Sequence, residues 1–289
     1  MFDSKIHRFL FKDHSIRGQH IHLSECWTQM IQDRHYPEAV QTLLGELALV
    51  SVMIGNSLKH DGKIILQIQG SGPVNLLLVE VTSELKIRGM AKIKDEIPDE
   101  AGLSALLGDG QILLTLENTQ TDSHFQSYVP REAETVAECF AQFFEQSDQQ
   151  TTRLWLTANN QTAGGIILQK MPDHGGSSKE YDEDAWNRIN HLTATIKDEE
   201  LAQLESETLL HRLFHEELVE LYPGREVIYE CPQDRSRIDA MLKSLGEEEV
   251  RDILKEQGKI SIHNEICNFH MIYNEEDVNA LFSVNDTIQ

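Results

Sequence analysis

The chain has 289 residues, of which 48 are acidic and 25 are basic, giving a formal net charge of −23. This balance disfavours duplex DNA, RNA and anionic membrane surfaces as partners, because binding to them requires Lys and Arg to displace counterions. Hydrophobic residues make up 40% and charged residues 25% of the chain, which is typical of a globular protein and excludes wholesale disorder.

The sequence favours a cytoplasmic protein. Its first residues mix charged and apolar side chains, without the unbroken apolar stretch of a secretory signal. The best apolar run, from Leu47 to Ile54, contains Ser51 and falls short of the roughly 18 residues that span a bilayer. Four cysteines, widely spaced along the chain, do not form a disulfide framework.

The first part of the chain alternates strand and helix signals. Residues 20–27 alternate apolar and polar side chains and predict a strand, and Pro37 then opens a long apolar helix. Runs of strand length separated by turn residues predict an antiparallel meander. The meander covers 63–70, 74–81 and 85–93, and further elements are strands over 110–118, 153–159 and 164–172 and a helix over 131–147. Together they predict an α+β domain of about 175 residues, large enough for its own core.

Charge divides the chain near residue 173. Residues 173–289 hold 27 acids and 11 bases, whereas residues 1–172 hold 21 and 14. The segment 177–222 is helical in period and carries only thin apolar stripes, which predicts helices lying on another surface. A small module follows, with predicted helices over 236–245, 247–257 and 275–282 and strands over 259–264 and 267–274. The predicted organisation is an N-terminal α+β domain with antiparallel sheets (1–176), an acidic helical linker (177–224) and a small α+β C-terminal domain (225–289).

Most candidate motifs have a structural explanation. The stretch from Gly70 to Pro73 precedes a β-rich run rather than a helix, so it predicts a hairpin turn and not a phosphate loop. His211 and His215 have the i, i+4 spacing of a metal pair, but no Glu lies between them as in HExxH, and we predict structural or surface histidines. Cys26, in a predicted strand, and Cys139, in a predicted helix, are expected to be buried.

Two C-terminal cysteines carry a stronger signal. Cys231 lies just after a loop, and Cys267 has His263 four residues before it and His270 three residues after it. Zinc ligands usually come in pairs from two short turns, so these residues, with Asp234 as a further donor, offer half of such a site. The alternative is a pair of thiols that meet in the fold, and the residues alone favour the thiol pair.

Sequence blocks along nearly the whole chain resemble one known family. The blocks include Tyr36-Pro37, Leu43 to Glu46, Leu66 to Pro73, Arg88 to Ala91, Ser147 to Thr151, Ala163 to Ile166, Leu209 to Phe214 and Ile260 to Asn274. Through these blocks the chain resembles the redox-regulated 33-kilodalton heat-shock chaperones, the 33 kDa chaperonin family.

The resemblance implies an ATP-independent holdase that binds unfolding proteins under heat or oxidative stress and prevents their aggregation. It also implies homodimers in the active state. In the family, four C-terminal cysteines in Cys-x-Cys and Cys-x-x-Cys pairs hold zinc when reduced. Oxidation makes two disulfides, releases the metal and unfolds the small domain and the linker. Structural zinc contributes about 10–16 kcal/mol to the folding of zinc-finger peptides, so its loss can melt a small domain.

This chain departs from the family pattern at the metal site. Cys231 and Cys267 match one position of each pair, but Gln233 and Asn264 stand where the other two cysteines belong. Neither family disulfide can form, and a zinc site with four thiolates is impossible. Three interpretations are open: the zinc switch is lost and heat or a loosely docked linker gates activity, the two cysteines cross-link with each other, or His263 or His270 completes a weaker mixed zinc site. We favour the first.

Two other classes of function compete with the holdase. One is a partner-binding protein that keeps the fold and has lost stress gating. The other is a metal-dependent enzyme using His211, His215 or Cys231, which is disfavoured because the sequence assembles no nucleophile, base and orienting group. No GxSxG elbow, Walker loop or kinase signature occurs. We therefore predict no catalytic residues, and client-binding residues have no motif that would identify them.

Overall fold

The computed structural model describes residues 3–97, 101–172, 182, 184–232 and 234–283. The chain forms two compact units, residues 1–230 and residues 231–289. Helices and largely antiparallel sheets occur in both units, which confirms the predicted α+β class.

The elements of the first unit alternate between strands and helices. The strands are β1 (Lys5–Phe11), β2 (Ile16–Leu23), β3 (Gly62–Gln69), β4 (Val74–Thr82), β5 (Lys86–Ile93), β6 (Gln111–Asn118), β7 (Ser123–Val129), β8 (Thr152–Ala158), β9 (Ala163–Lys170), β10 (Val219–Leu221), β11 (Arg225–Glu226) and β12 (Ile228–Tyr229). The helices are α1 (Glu25–Ile31), α2 (Glu38–Gly55), α3 (Leu103–Leu107), α4 (Val136–Asp148), α5 (Ala185–Thr193), α6 (Asp198–Gln203) and α7 (Ser206–Phe214).

These strands form two sheets. The first sheet has the order β10-β1-β2-β9-β8, with β11 also paired to β1, and the second has the order β12-β5-β4-β3-β6-β7. Strand β12 runs parallel to β5, whereas the predicted meander β3-β4-β5 is antiparallel. The turn from Gly70 to Pro73 joins β3 to β4, so the prediction of a hairpin turn is confirmed.

Helix α2 lies between the two sheets and forms the centre of the main core. It is apolar almost all round, and its side chains pack with inward-facing residues of both sheets, such as Leu23 of the first and Ile64 of the second. Among the described helices, α2 is long and apolar enough to cross a membrane, although the sequence predicted no such segment. Because 67% of it is buried inside the protein, its apolar character is that of a core helix.

Two predicted elements of the first unit begin or end elsewhere. The predicted strand over 20–27 is wrong at its end, because β2 stops at Leu23 and Cys26 and Trp27 lie on α1, where Met30 completes a buried helical face. The helix predicted over 131–147 begins only at Val136. Its N-cap, Thr135, accepts a hydrogen bond from the Glu138 amide at 3.2 Å, which is a capping interaction that fixes the start of the helix.

The acidic segment stops being helical earlier than its period predicted, and the predicted positions 177–181 and 183 lie outside the described residues. Helix α7 ends at Phe214, and residues 219–221 form β10, which pairs with β1 at the edge of the first sheet. Strands β1 and β7 were not predicted. The β7 side chains are mostly exposed, so its sequence lacks the apolar alternation of a half-buried strand.

The described residues of the second unit form three helices and a hairpin, close to the predicted ranges. These are α8 (Arg235–Leu245), α9 (Glu247–Gln257), β13 (Ile260–Asn264), β14 (Phe269–Tyr273) and α10 (Glu275–Ser283). Its core contains Tyr273, whose hydroxyl donates to Asp239 at 2.6 Å and whose ring lies 4.6 Å from the Arg235 guanidinium. A core of this size is small for an independent unit.

Candidate functional site

One face of the first sheet forms an apolar surface, which we call the docking face. It consists of Phe9 and Phe11 on β1, Ile16 on β2, and Ile166 and Leu168 on β9, all of them 2% exposed or less. Side chains alternate along a strand, so these residues share one face while their neighbours point towards α2. The register confirms this placement, because Phe11 pairs with Ile16 across β1 and β2.

Helices α5, α6 and α7, which we call the linker helices, cover the docking face. The buried apolar residues that pack with this face are Ala185, Ile189, Leu201, Leu209, Leu210 and Phe214. The Phe214 ring lies 5.0 Å from the ring of Phe11 in an edge-on arrangement and 6.5 Å from that of Phe9. Burial of each large apolar side chain contributes about 1.5–3 kcal/mol, so the apolar stripes that are thin within each helix together close a second core.

Two histidines of β2 connect the sheet to the linker helices. The Nδ1 atom of His20 lies 2.7 Å from the Ser206 hydroxyl on α7, and Nε2 of His22 lies 2.8 Å from the carbonyl oxygen of Ala202 on α6. Burial, followed by the nearby imidazoles of His22 and His7, lowers the pKa of His20 to about 3. Within the described residues the Nε2 atom of His20 has no hydrogen-bond partner. His20 is therefore neutral at pH 7, and a proton on it would disfavour the docked arrangement.

A group of ion pairs connects the first linker helix, the end of the last linker helix and the β1–β2 turn. Glu217, just after α7, accepts from Arg188 of α5 at 2.8 Å and lies 3.1 Å from His14 in the β1–β2 turn. Arg188 also contacts Asp182 at 2.8 Å. Both partners of Glu217 are partly shielded from water, so this group contributes more than an exposed pair would.

Gly164 on β9 allows α6 to approach the sheet closely. A Cβ atom at this position would collide with the carbonyl group of Leu201 and lie 3.1 Å from the Cα atom of Ala202. The backbone of α6 therefore packs directly against the backbone of β9, which only glycine at this position permits. Close packing, rather than ligand binding, explains the glycine.

His211 and His215 do not form a metal pair. Both side chains are exposed, and α7 ends at Phe214, so His215 occupies the C-cap position. His215 lies 4.0 Å from Glu216 in an exposed contact. Structural or surface histidines were predicted here, and the structure places both at the surface.

In the second unit, Cys231 and Cys267 form a disulfide with a Cα–Cα distance of 5.7 Å. It closes a loop of 36 residues around α8, α9 and β13. The remaining cysteines, Cys26 and Cys139, are free and buried. Burial raises the pKa of the Cys26 thiol to about 12, so this group stays protonated and unreactive at neutral pH.

Asn264 has a structural role of its own at a position where the family resemblance implied a cysteine. Its side-chain oxygen accepts from the Cys267 amide at 3.2 Å across the β13–β14 turn. Asn side chains commonly close turns in this way. The other replaced position, Gln233, lies outside the described residues.

The remaining candidate zinc ligands do not converge. His263 and His270 pair across the hairpin with stacked rings 4.4 Å apart, and their ring nitrogens lie near Asn268 and Ser261 respectively. Asp234 caps α8 by accepting from the amides of the next turn. With both thiols in the disulfide, no three Cys, His, Asp or Glu side chains of the described part of the chain are arranged to hold a metal ion. This arrangement does not fit a zinc centre.

The chain matches a known family over most of its length. The family model described as "Hsp33 protein" matches residues 4–274. The chain belongs to the Hsp33 family. The family resemblance predicted from the sequence is thereby confirmed, and the family assigns the chain a chaperone role.

Hsp33 relatives match over almost their entire length. The 33 kDa chaperonin of Methylobacillus flagellatus is 38% identical, covering 96% of this chain and 94% of the relative. That of Aliivibrio salmonicida is 36% identical and covers 100% of both chains. The crystal structure of the 33 kDa chaperonin from Thermotoga maritima matches with a TM-score of 0.80 at 22% identity, covering 99% of this chain and 100% of the other.

The sequence missed the two histidines that contact the linker helices. Their signal was present, because His20 and His22 alternate with Ile21 on β2, so both imidazoles share the face that the linker helices cover. Histidines on a strand face carry no distinctive spacing, and their partners lie 180 or more residues away. Only the fold brings these groups together.

Proposed function

We propose that the chain is an ATP-independent holdase that binds unfolding proteins under heat or oxidative stress and prevents their aggregation. Release of the linker helices from the first sheet is the activating step. This step uncovers apolar side chains on both surfaces, and an unfolding client offers apolar segments that can replace the lost contacts.

One observation carries this proposal. The docking face presents Phe9, Phe11 and Ile166 in one contiguous surface, and its cover is three short helices rather than a second sheet. Short amphipathic helices have little stability without packing, so a released linker unfolds rather than persisting as a rigid body. Its many acidic residues then keep the opened form soluble.

The redox response is proposed to differ from that implied by the family resemblance. The Cys231–Cys267 disulfide is a cross-link inside the second unit, so its oxidised form holds that unit together. Heat then releases the linker helices, without a structural zinc ion. The proposal therefore combines two of the three interpretations of the sequence: the zinc switch is lost and heat gates activity, and Cys231 and Cys267 cross-link with each other.

The remaining expectations concern location and assembly. We propose a cytoplasmic protein whose partners are unfolded or misfolded client proteins, and which forms homodimers when active. Uncovered apolar docking faces give two active copies a reason to associate, because each would otherwise expose a large contiguous apolar patch.

Suppression of aggregation tests the holdase directly. A heat-denatured client is mixed with a several-fold molar excess of the chain, without ATP, and light scattering is followed at 25 °C and at elevated temperature. We expect suppression at the elevated temperature and none at 25 °C without oxidant. Unchanged scattering under all conditions, with and without oxidant, would contradict the proposal, and recovery of a single stoichiometric partner in pull-downs would favour a dedicated partner-binding protein instead.

Metal content and thiol state test the redox part. The reduced and peroxide-treated proteins are compared by native mass spectrometry and thiol counting. We expect four free thiols and no zinc after reduction, and two free thiols after oxidation. One zinc ion per chain in the reduced form would overturn the zinc-free mechanism while leaving the holdase intact.

A further inference from the structure

A cavity of about 710 Å³ lies beyond the last turn of α2, on the α2 side of the first sheet. Strands β1 and β2 form one wall, and the segment 222–225 forms another. Its charged lining residues are Arg8, Arg17, Lys59 and Arg225, and among the described residues it has no Asp or Glu. In a chain with 48 acids and 25 bases, this cavity has the opposite sign to the rest of the molecule.

The guanidinium groups are held by neutral acceptors. Asn56, which is 1% exposed, accepts from Arg8 through its backbone oxygen and from Arg225 through its side-chain oxygen at 3.0 Å. Arg17 donates to the side-chain oxygens of Gln169 and Gln150 at 3.1 and 3.2 Å. These bonds fix the orientation of the three groups, and because the acceptors are neutral they do not compensate the charges.

No carboxylate of the described residues lies within ion-pair distance of these four cations. Burial, followed by the nearby charges of Arg225 and Arg17, lowers the pKa of Arg8, so the groups repel one another. The C-terminal end of α2 offers roughly half a negative charge, which offsets only a small part of four positive ones. Within the part of the chain that the structure describes, the cluster therefore has a surplus of positive charge.

We propose that this cavity binds a compact, multiply charged phosphate group, either inorganic pyrophosphate or the diphosphate end of a small organic molecule. Guanidinium groups bind phosphate oxygens through paired N–H donors. Three oriented guanidinium groups lining one cavity offer more donors and more positive charge than one carboxylate ligand could use, so they suit a multiply charged phosphate group better. The net charge of −23 opposes long polyanions, so the ligand is small. Apolar walls at Leu10, Leu58 and Met171 leave room for an organic body, and the volume is that of a small-molecule site.

The site also connects to the end of the linker region. Arg225 and Tyr222 line the cavity just after β10, so a bound anion joins this segment to β1, β2 and Asn56. A ligand that binds only the closed arrangement stabilises it by mass action. Binding of the phosphate group therefore raises the melting temperature of the first unit.

Isothermal titration calorimetry on the full chain tests the site, with pyrophosphate, adenosine diphosphate and adenosine as probes. We expect one-to-one binding of pyrophosphate that weakens about tenfold or more in Arg17→Gln and in Lys59→Gln. Arg153→Gln is the matched control, because Arg153 is exposed on β8 of the same sheet, outside the cavity lining, and loses the same charge. Its affinity should change less than about twofold.

The outcomes separate the sources and the alternatives. Tighter binding of adenosine diphosphate than of pyrophosphate assigns the site to an organic diphosphate, and equal or weaker binding assigns it to the inorganic ion. Lys59 is exposed and makes none of the anchoring contacts, so Lys59→Gln keeps the test valid if Arg17→Gln fails to fold. Absence of saturable binding by both phosphate probes, or an equal loss in Arg153→Gln, would overturn the proposal without bearing on the holdase.

Discussion

The linker helices and the second unit stay folded for different physical reasons. Among the described residues, eleven buried apolar side chains join the linker helices to the docking face, whereas six form the core of the second unit. The second unit has a covalent cross-link in addition, between Cys231 and Cys267. The larger contact depends on packing and the smaller unit depends on its disulfide.

This difference indicates which stress acts on which part. Heat and acid act on packing and on buried histidines such as His20, so they act on the linker helices. Thiol reduction acts on the second unit and leaves the docking face unchanged, because the docking-face contacts contain no disulfide. Variants that change only the linker helices or only the second unit test this difference.

The largest effect is expected for Phe214→Ala. This change removes the ring that contacts Phe9 and Phe11 and leaves a cavity, which should destabilise the docked linker by about 3–5 kcal/mol. We expect client binding at a temperature where the wild type is inactive, measured by suppression of aggregation.

Phe125→Ala provides the control for this experiment, because it makes the same chemical change at a ring that is 60% exposed. Its activation temperature should match the wild type, with a stability change within about 0.5 kcal/mol. If both variants behave alike, the docking face does not gate activity.

The second effect concerns Cys231→Ser. Closing a loop of 36 residues stabilises a unit by about 3–4 kcal/mol through the entropy of the unfolded chain. We expect the second unit to unfold at lower temperature, as shown by hydrogen exchange in residues 235–283, while exchange in β3 and β4 is unchanged.

A reducing agent should have the same effect on the wild type and no effect on Cys231→Ser. The double variant with Cys267→Ser should be no less stable than either single variant, because all three lack the same bond. Additive losses would mean that the cysteines stabilise the unit separately.

The third effect is pH dependence through His20. Its pKa is about 3 in the folded chain against 6.5 for an ordinary His, so the unfolded chain binds the proton more readily. Stability is then fully present above about pH 6.5 and falls towards pH 3, by at most about 1.4 kcal/mol per pH unit. Urea denaturation of the wild type and His20→Gln at pH 7.5 and pH 5.5 measures this fall.

The variant comparison is needed because Glu46 acts in the opposite direction. Burial, followed by the charge of Asp198, raises the pKa of Glu46 to about 7, so its protonation on acidification favours the folded state. This contribution is common to both proteins and cancels. A difference between wild type and His20→Gln that does not change with pH would exclude His20 as the sensor.

The smallest effect is that of salt. Residues 173–289 carry a net charge of −16, from 27 acids and 11 bases, and this self-repulsion is screened as ionic strength rises. We expect the linker and the second unit to gain stability by less than about 1 kcal/mol between low and physiological salt. Thermal melts of Cys231→Ser show this most clearly. A melting temperature that does not change with salt would mean that charge repulsion does not destabilise these segments.

Much of the fold was predictable from local signals. The meander, α2 and the three helices of the second unit follow from period and turn residues. Strand β7 was missed because its exposed edge position removes the apolar alternation, and β10 was missed because three residues carry no period. The division of the chain at residues 176 and 224 stays a prediction.

The candidate site was less predictable. Cys231 and Cys267 could be named from their neighbours, but their bond needed the fold, because 36 residues separate them. The docking face could not be predicted without β1, which the sequence did not indicate. Its contact with the linker helices also joins residues about 200 positions apart. Such contacts leave no pattern in a single sequence.

The position of Gly164 has a consequence for the order of folding during synthesis. Gly164 and its partner Leu201 both precede Cys231, so the docking face and its three helices are complete before either disulfide cysteine has been translated. Between Phe214 and Cys267 the ribosome adds 53 residues (267 − 214), which takes about 3–10 s at ordinary translation rates. A nascent chain therefore covers its apolar face first and acquires its cross-link last.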